Sequence, residues 1–190
     1  MRGTKIFGVQ PNASAAVLYP AYRERAFFFT LPLERISRAI YGTNPFPEAV
    51  VIAKRIADDT LPEDRVAVLG SEPEICFYAR RRSATGYIYM YGLMEAQPYA
   101  RRMQQEAIRE IEAQAPRYIV FVNVPQSWLG GPDSDTSILT WSRSYLVDHY
   151  RVAGIADIQS DDTTVYVWGE EALSYTPRSP CVVYVFKRLS

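Results

Sequence analysis

The chain has 190 residues, enough to bury the core of one full domain. Its 21 lysines and arginines match its 21 aspartates and glutamates, so there is no basic excess to hold a polyanion, which argues against a nucleic-acid partner. No stretch approaches the roughly 20 apolar residues needed to cross a bilayer, and the opening residues, broken by Gln10, Pro11, Asn12 and Pro20, lack the apolar region of a cleavable signal peptide.

Residues 1–30 show no clear periodicity and read as an irregular segment ahead of a single α/β domain over 31–190. Within that segment Ala26-Phe27-Phe28-Phe29 is too short to span a membrane, yet apolar enough to need a partner, either the domain itself or a bilayer surface. Leu33 to Tyr41 reads as a short helix closed by Gly42. A second helix starts at Asn44-Pro45-Phe46-Pro47-Glu48, with Ala49, Ile52, Ala53, Ile56 and Ala57 on one apolar stripe, and ends at Leu61-Pro62-Glu63-Asp64. Arg65 to Leu69 is then a buried strand. The junction Gly70-Ser71-Glu72-Pro73-Glu74 has the spacing of a capping box and predicts a helix from Glu72 to about Ala79.

Tyr87 to Tyr91 alternates tyrosines with Ile88 and Met90 and reads as a second strand covered on both faces. From about Glu95 to Ala115, Ala96, Ala100, Met103, Ala107 and Ile111 form the core stripe of a long helix whose charged residues face solvent, and Pro116 stops it. Tyr118 to Val122 is a continuous apolar run and a third buried strand. After a Gly- and Pro-rich loop, Ile138, Trp141, Tyr145, Leu146 and His149 mark another amphipathic helix, with His149 expected in a core or interface position. The tail follows a different pattern. Val152 to Ile158, Thr164 to Trp168 and Cys181 to Lys187 are strand candidates without long helices between them, with Ser160-Asp161-Asp162 as a turn. Together these elements predict an α/β fold, a three-layer Rossmann-like sandwich with parallel central strands and an antiparallel C-terminal extension.

The inventory removes several chemistries. No G-x-S-x-G elbow, phosphate loop or G-x-G-x-x-G follows a strand, and no His, Cys and carboxylate cluster has metal spacing, so neither a cofactor nor a metal is called for. Glu72 and Glu74 at a helix start suit the dipole but would repel a phosphate. In open α/β sheets ligands bind beyond the carboxyl ends of parallel strands. The residues expected there are Ser71 and Glu72 after the first strand, Gly92 and Glu95 after the second, and Asn123, Gln126, Ser127 and Trp128 after the third. Carboxylates, amides and an indole can hold a carbohydrate through hydroxyl bonds and stacking; the alternative is that Ser71, Glu72 and Glu95 only cap helices and Trp128 only plugs a loop. The 14 tyrosines read as packing on sheet faces, with stacking on sugars as the functional alternative. Arg80-Arg81-Arg82 fits a helix C-terminal cation cap, with lipid headgroups or a sugar phosphate as the functional alternative. Cys76 and Cys181 are expected as buried thiols, with a disulfide as the other state, and Asn12-Ala13-Ser14 matches a glycosylation acceptor.

The strings Tyr41-Gly42-Thr43-Asn44-Pro45-Phe46-Pro47-Glu48, Leu69-Gly70-Ser71-Glu72-Pro73-Glu74, Arg82-Ser83-Ala84-Thr85-Gly86-Tyr87-Ile88-Tyr89, Met94-Glu95, Tyr118-Ile119-Val120-Phe121-Val122 and Ser127-Trp128 resemble the C-terminal soluble region of bacterial multi-pass membrane proteins similar to dolichyl-phosphate-mannose protein mannosyltransferases. The resemblance runs over about residues 26–150 and is firmest over 41–128. It implies a glycosyltransferase whose membrane part uses a polyprenyl-phosphate sugar donor, with this region on the periplasmic side. The catalytic acid of such enzymes sits in the membrane part, so the resemblance carries no catalytic residue onto this chain. The implied partners are the transmembrane region itself, a glycan or polypeptide acceptor, and lipid headgroups. Two other readings stand beside it. One is a free-standing cytoplasmic enzyme with Glu72 or Glu95 as acid or base in a deep pocket; the other is a scaffold that binds a protein through Phe27 to Phe29.

Overall fold

The computed structural model describes residues 18–20 and 22–189; the glycosylation triplet at Asn12 and the opening of the N-terminal segment lie outside the described residues. A short helix α1 (Arg25–Phe29) leads into α2 (Leu33–Tyr41) and α3 (Phe46–Asp58). Helix α3 falls where its apolar stripe and prolines place it, and α2 ends at Gly42 as its sequence predicts. Strand β1 (Arg65–Leu69) follows, then α4 (Glu74–Ala79), a two-residue strand β2 (Arg82–Ser83), α5 (Tyr91–Met94) and α6 (Ala100–Gln114). Strand β3 (Tyr118–Asn123), a 3-10 turn (Pro125–Ser127) and α7 (Ser137–His149) lead to the tail, made of β4 (Tyr150–Ser160), β5 (Thr163–Trp168), α8 (Glu170–Ser174) and β6 (Val182–Arg188).

All six strands form one mixed sheet in the order β2-β1-β3-β6-β4-β5. Strand β1 pairs parallel with β2 and β3, while β3–β6, β6–β4 and β4–β5 are antiparallel. Because strand side chains alternate between faces, β1 sends Val66 and Val68 to one side and Ala67 and Leu69 to the other. The first side packs under α3 and α4 through Ile52, Ile56, Ile75 and Ala79. The second packs under α5 to α7 through Leu93, Ala107, Ile111, Ile138 and Leu146. Toward the far edge, α8 covers Ile155, Val167 and Val182 with Ala172.

Several expectations are corrected. Tyr87 to Tyr91 is not a strand; β2 takes the edge of β1 for two residues only, and the chain then leaves the sheet. The cause is the Glu110 carboxylate on α6, which accepts hydrogen bonds from the Thr85 hydroxyl (2.5 Å) and the Gly86 amide (2.9 Å) and draws the chain onto that helix. Ile88 and Tyr89 end up exposed. The long helix begins at Ala100 rather than near Glu95, after the turn that follows α5. His149 is exposed, its ring 4.7 Å from that of Tyr145, so it is not a core residue. Arg81 is structural: its guanidinium donates to the Ala57 (3.1 Å) and Thr60 (2.7 Å) carbonyls, satisfying the open C-terminal end of α3, while Arg80 is the left-handed residue that ends α4. Cys76 and Cys181 are free thiols.

Candidate functional site

The carboxyl ends of β1 and β3 lie side by side, and the residues beyond them form a closed polar cluster. The Ser71 hydroxyl does not cap α4. It donates to the Ser127 carbonyl (2.6 Å) and accepts from the Met90 amide (2.9 Å), tying three loops together. The Ser127 hydroxyl donates to the Glu72 carboxylate, whose second oxygen, Oε2, is buried without a partner. The Glu72 side chain folds back over Gly70, where an added Cβ would run into its carboxylate and stand 2.8 Å from Val122 Cβ; only glycine admits this approach.

Glu72 is 2% exposed, and burial pushes its carboxyl up to about 7, with the Glu74 charge adding to the rise and the Ser127 hydroxyl opposing it. Burial raises Glu74 as well, and its Oε1 also lacks a partner. Burial, then the Glu74 charge, pushes the Cys76 thiol up to about 11, which leaves it protonated and unreactive at neutral pH.

Of the eight residues placed at the strand ends by sequence, the fold joins three, Ser71, Glu72 and Ser127. Glu95 is exposed and lines a separate shallow groove with Gln97 and Asp135. Asn123 is exposed and donates to the Pro180 carbonyl (3.0 Å), and Gln126 is exposed on the 3-10 turn. Trp128 is buried, its indole N–H bonded to the Val122 carbonyl (2.7 Å) and its ring 5.8 Å from that of Phe121. Asn123 and Trp128 do share the wall of a shallow groove with Arg143 and Pro125, but Glu72 does not reach it. Among the described residues no group of three or more histidines, cysteines or carboxylates is placed to hold a metal ion.

A different groove, of about 330 Å³, opens at the other end of the parallel strands, where α3 ends over β3, β6 and β4. Its wall includes Arg55, Asp58 and Asp59 from α3 and its C-terminus, Arg151 from β4, Trp168 from β5 and Lys187 from β6. Asp59 is fixed by two partners on one oxygen: the Tyr118 hydroxyl and the Lys187 ammonium each reach Oδ2 at 2.6 Å. The Lys187 ammonium first, and then the Tyr118 hydroxyl, hold the Asp59 carboxyl below the usual carboxylate range. The Trp168 ring is packed against Gly154, where any Cβ would collide with it, and the Arg55 guanidinium stands 5.6 Å from its centroid.

The residue pattern did carry a signal for this groove. Asp58 and Asp59 close a helix at the negative end of its dipole, where carboxylates are disfavoured. The chain matches no family model, no curated protein and no solved structure.

Proposed function

We propose that these residues form the soluble, extracytoplasmic accessory domain of a bacterial membrane glycosyltransferase that draws on a polyprenyl-phosphate sugar donor, and that the domain holds the acceptor. On this reading the fold is a Rossmann-like three-layer domain with an antiparallel extension, and the reactive acid belongs to the membrane part. The resemblance over residues 41–128 motivates it.

The observation that carries it is the N-terminal arm. Helix α1 has no buried residue, and Phe28 and Phe29 are 59% and 78% exposed. Tyr19, Tyr22, Leu31 and Leu33 are exposed beside them. An apolar, aromatic segment that the domain leaves uncovered suits the water–lipid boundary, where aromatic rings concentrate. No helix among the described residues is long and apolar enough to cross a membrane, so on this reading the spans lie elsewhere in the protein.

The acid–base reading has one observation in its favour, the Glu72 carboxyl poised near neutrality beside a serine hydroxyl. Burial at 2% exposure, under Gly70 and Val122, separates that carboxyl from any substrate. The test of the accessory-domain reading has two parts. The reading frame upstream of Met1 is expected to encode several apolar spans of about 20 residues, and vesicles with anionic headgroups are expected to retain the chain only while residues 18–33 are present. An upstream frame without such spans, together with no vesicle retention, overturns the proposal.

A further inference from the structure

We infer that the groove at the C-terminal end of α3 binds a neutral oligosaccharide, with Trp168 as the platform for a sugar ring and Asp58, Asp59, Arg55 and Arg151 as partners for its hydroxyls. This rests on the reading of the chain as an acceptor-holding domain, and it names what is held and where.

The charges around the groove decide the ligand class. Arg55, Arg151 and Lys187 face Asp58, Asp59 and Glu170, so cations and carboxylates balance. A phosphate or a uronate entering there meets carboxylates as well as cations. A hydroxyl suits both, since it donates to a carboxylate and accepts from a guanidinium. A volume of about 330 Å³ is at the lower end of small-ligand sites, which span roughly 300–1,000 Å³.

Asp59 is built as an acceptor. Tyr118 and Lys187 both bind its Oδ2, and Oδ1 accepts no hydrogen bond among the described residues. A carboxylate oxygen held in place but left open costs little ordering when a hydroxyl arrives. Asp58 and Asp59 also oppose the α3 dipole, and residues that break a local rule concentrate where function requires them. Trp168 completes the arrangement. The ring is held in place against Gly154, and the Arg55 guanidinium, 5.6 Å from the ring centroid, belongs to an exposed side chain that can swing aside for the C–H face of a sugar.

The experiment titrates the 190-residue chain with neutral trisaccharides built from mannose, glucose or galactose, with a sialylated trisaccharide, and with an unstructured peptide, reading amide and indole N–H shifts by NMR. Saturable binding of at least one neutral trisaccharide, with the Trp168 indole resonance among the largest shifts, is the expected result. Asp59→Asn, close in shape, should weaken binding about ten-fold, equivalent to ~1.4 kcal/mol, Trp168→Ala should abolish it, and Trp141→Phe on the opposite face should leave it unchanged. Should Trp168→Ala fail to fold, the Asp59→Asn titration and the shift map decide the matter. The inference is overturned if no neutral trisaccharide moves the Trp168 indole at about 10 mM, or if only the acidic sugar or the peptide does. This readout needs no membrane, so its failure leaves the membrane linkage standing, and an upstream frame without spans leaves a measured sugar affinity standing.

Discussion

Glu72 shows how one side chain can satisfy a local rule in sequence and obey a different one in space. With Ser71 and Glu74 it has the spacing of a helix cap, yet α4 begins at Glu74 with no side-chain cap bond. What decides its position is contact 55 residues away, where the Ser127 hydroxyl binds its carboxylate, and a pattern of neighbours in sequence carries no trace of that. Gly70 was legible only as the end of the apolar run; that the close return of a side chain onto the backbone there requires a residue without Cβ shows only in space. The energetic consequence is measurable. Glu72 ionises at 4.5 when unfolded and near 7 in the native chain, so between those values the unfolded chain releases a proton that the folded chain keeps. Its contribution therefore falls as pH rises through that window, by an amount on the order of 3 kcal/mol, and is constant outside it. Urea unfolding of Glu72→Gln should show a flatter dependence than the wild type over the same range and a more stable protein at about pH 8. Parallel pH profiles for the two proteins would contradict the burial of an ionisable carboxyl there.

At the level of elements, helices α3, α6 and α7 were readable because each carries its own apolar stripe, and α2 through the glycine that closes it, whereas the segment 87–91 was not. Alternation there satisfies a strand, but a strand also needs a free neighbour, and Glu110 on α6 draws the chain away before it can pair with β1. The junction of α2, α3 and β5 was equally hidden. Arg38 and Glu48 form an ion pair with side chains 5% and 0% exposed; Arg38 also donates to the Gly42 (3.1 Å) and Asn44 (3.2 Å) carbonyls, and the Thr164 hydroxyl binds Glu48. Charged residues at these positions read as solvent-facing until the tail folds over them. Removing one partner strands the other in a dry site, so Arg38→Ala should cost about 3–5 kcal/mol, visible as a lower urea midpoint. Arg38→Met combined with Glu48→Leu should recover most of that loss, because no charge is then left unpaired. A double variant as unstable as the single one would show that the pair also fixes the loop at Gly42 and Asn44 through bonds nothing apolar replaces.

For the whole molecule, the order of the sheet is the feature that chain order conceals. Alternating helices and strands announced the parallel unit of β1 and β3, and short strands without helices announced an antiparallel tail, but β6, the last strand in sequence, inserts between β3 and β4. It pairs with β3 from Tyr118↔Lys187 to Asn123↔Val182 and with β4 from Tyr150↔Arg188 to Asp157↔Val182. Among the described residues, the two halves of the sheet are therefore joined only through the final strand. The same insertion places Lys187 next to Tyr118 and so builds the groove beneath α3, which is why no reading of the strand ends one by one could locate it. Pairings this distant in sequence form late, since the chain entropy of closing the loop precedes the gain from the contacts. A chain ending at Pro180 would present two unpaired, valine- and isoleucine-rich edges, of β3 and of β4, each a template for intermolecular pairing. Such a truncation should be recovered as aggregate, while removal of residues 1–24, of which the described ones, 18–20 and 22–24, are all exposed, should leave the unfolding midpoint unchanged. Adding a peptide of residues 181–190 during refolding of the truncated chain should restore soluble protein with the full-length circular dichroism spectrum. Soluble, cooperative folding without that peptide would mean that β3 and β4 can pair directly and that β6 is not the strand that joins the sheet.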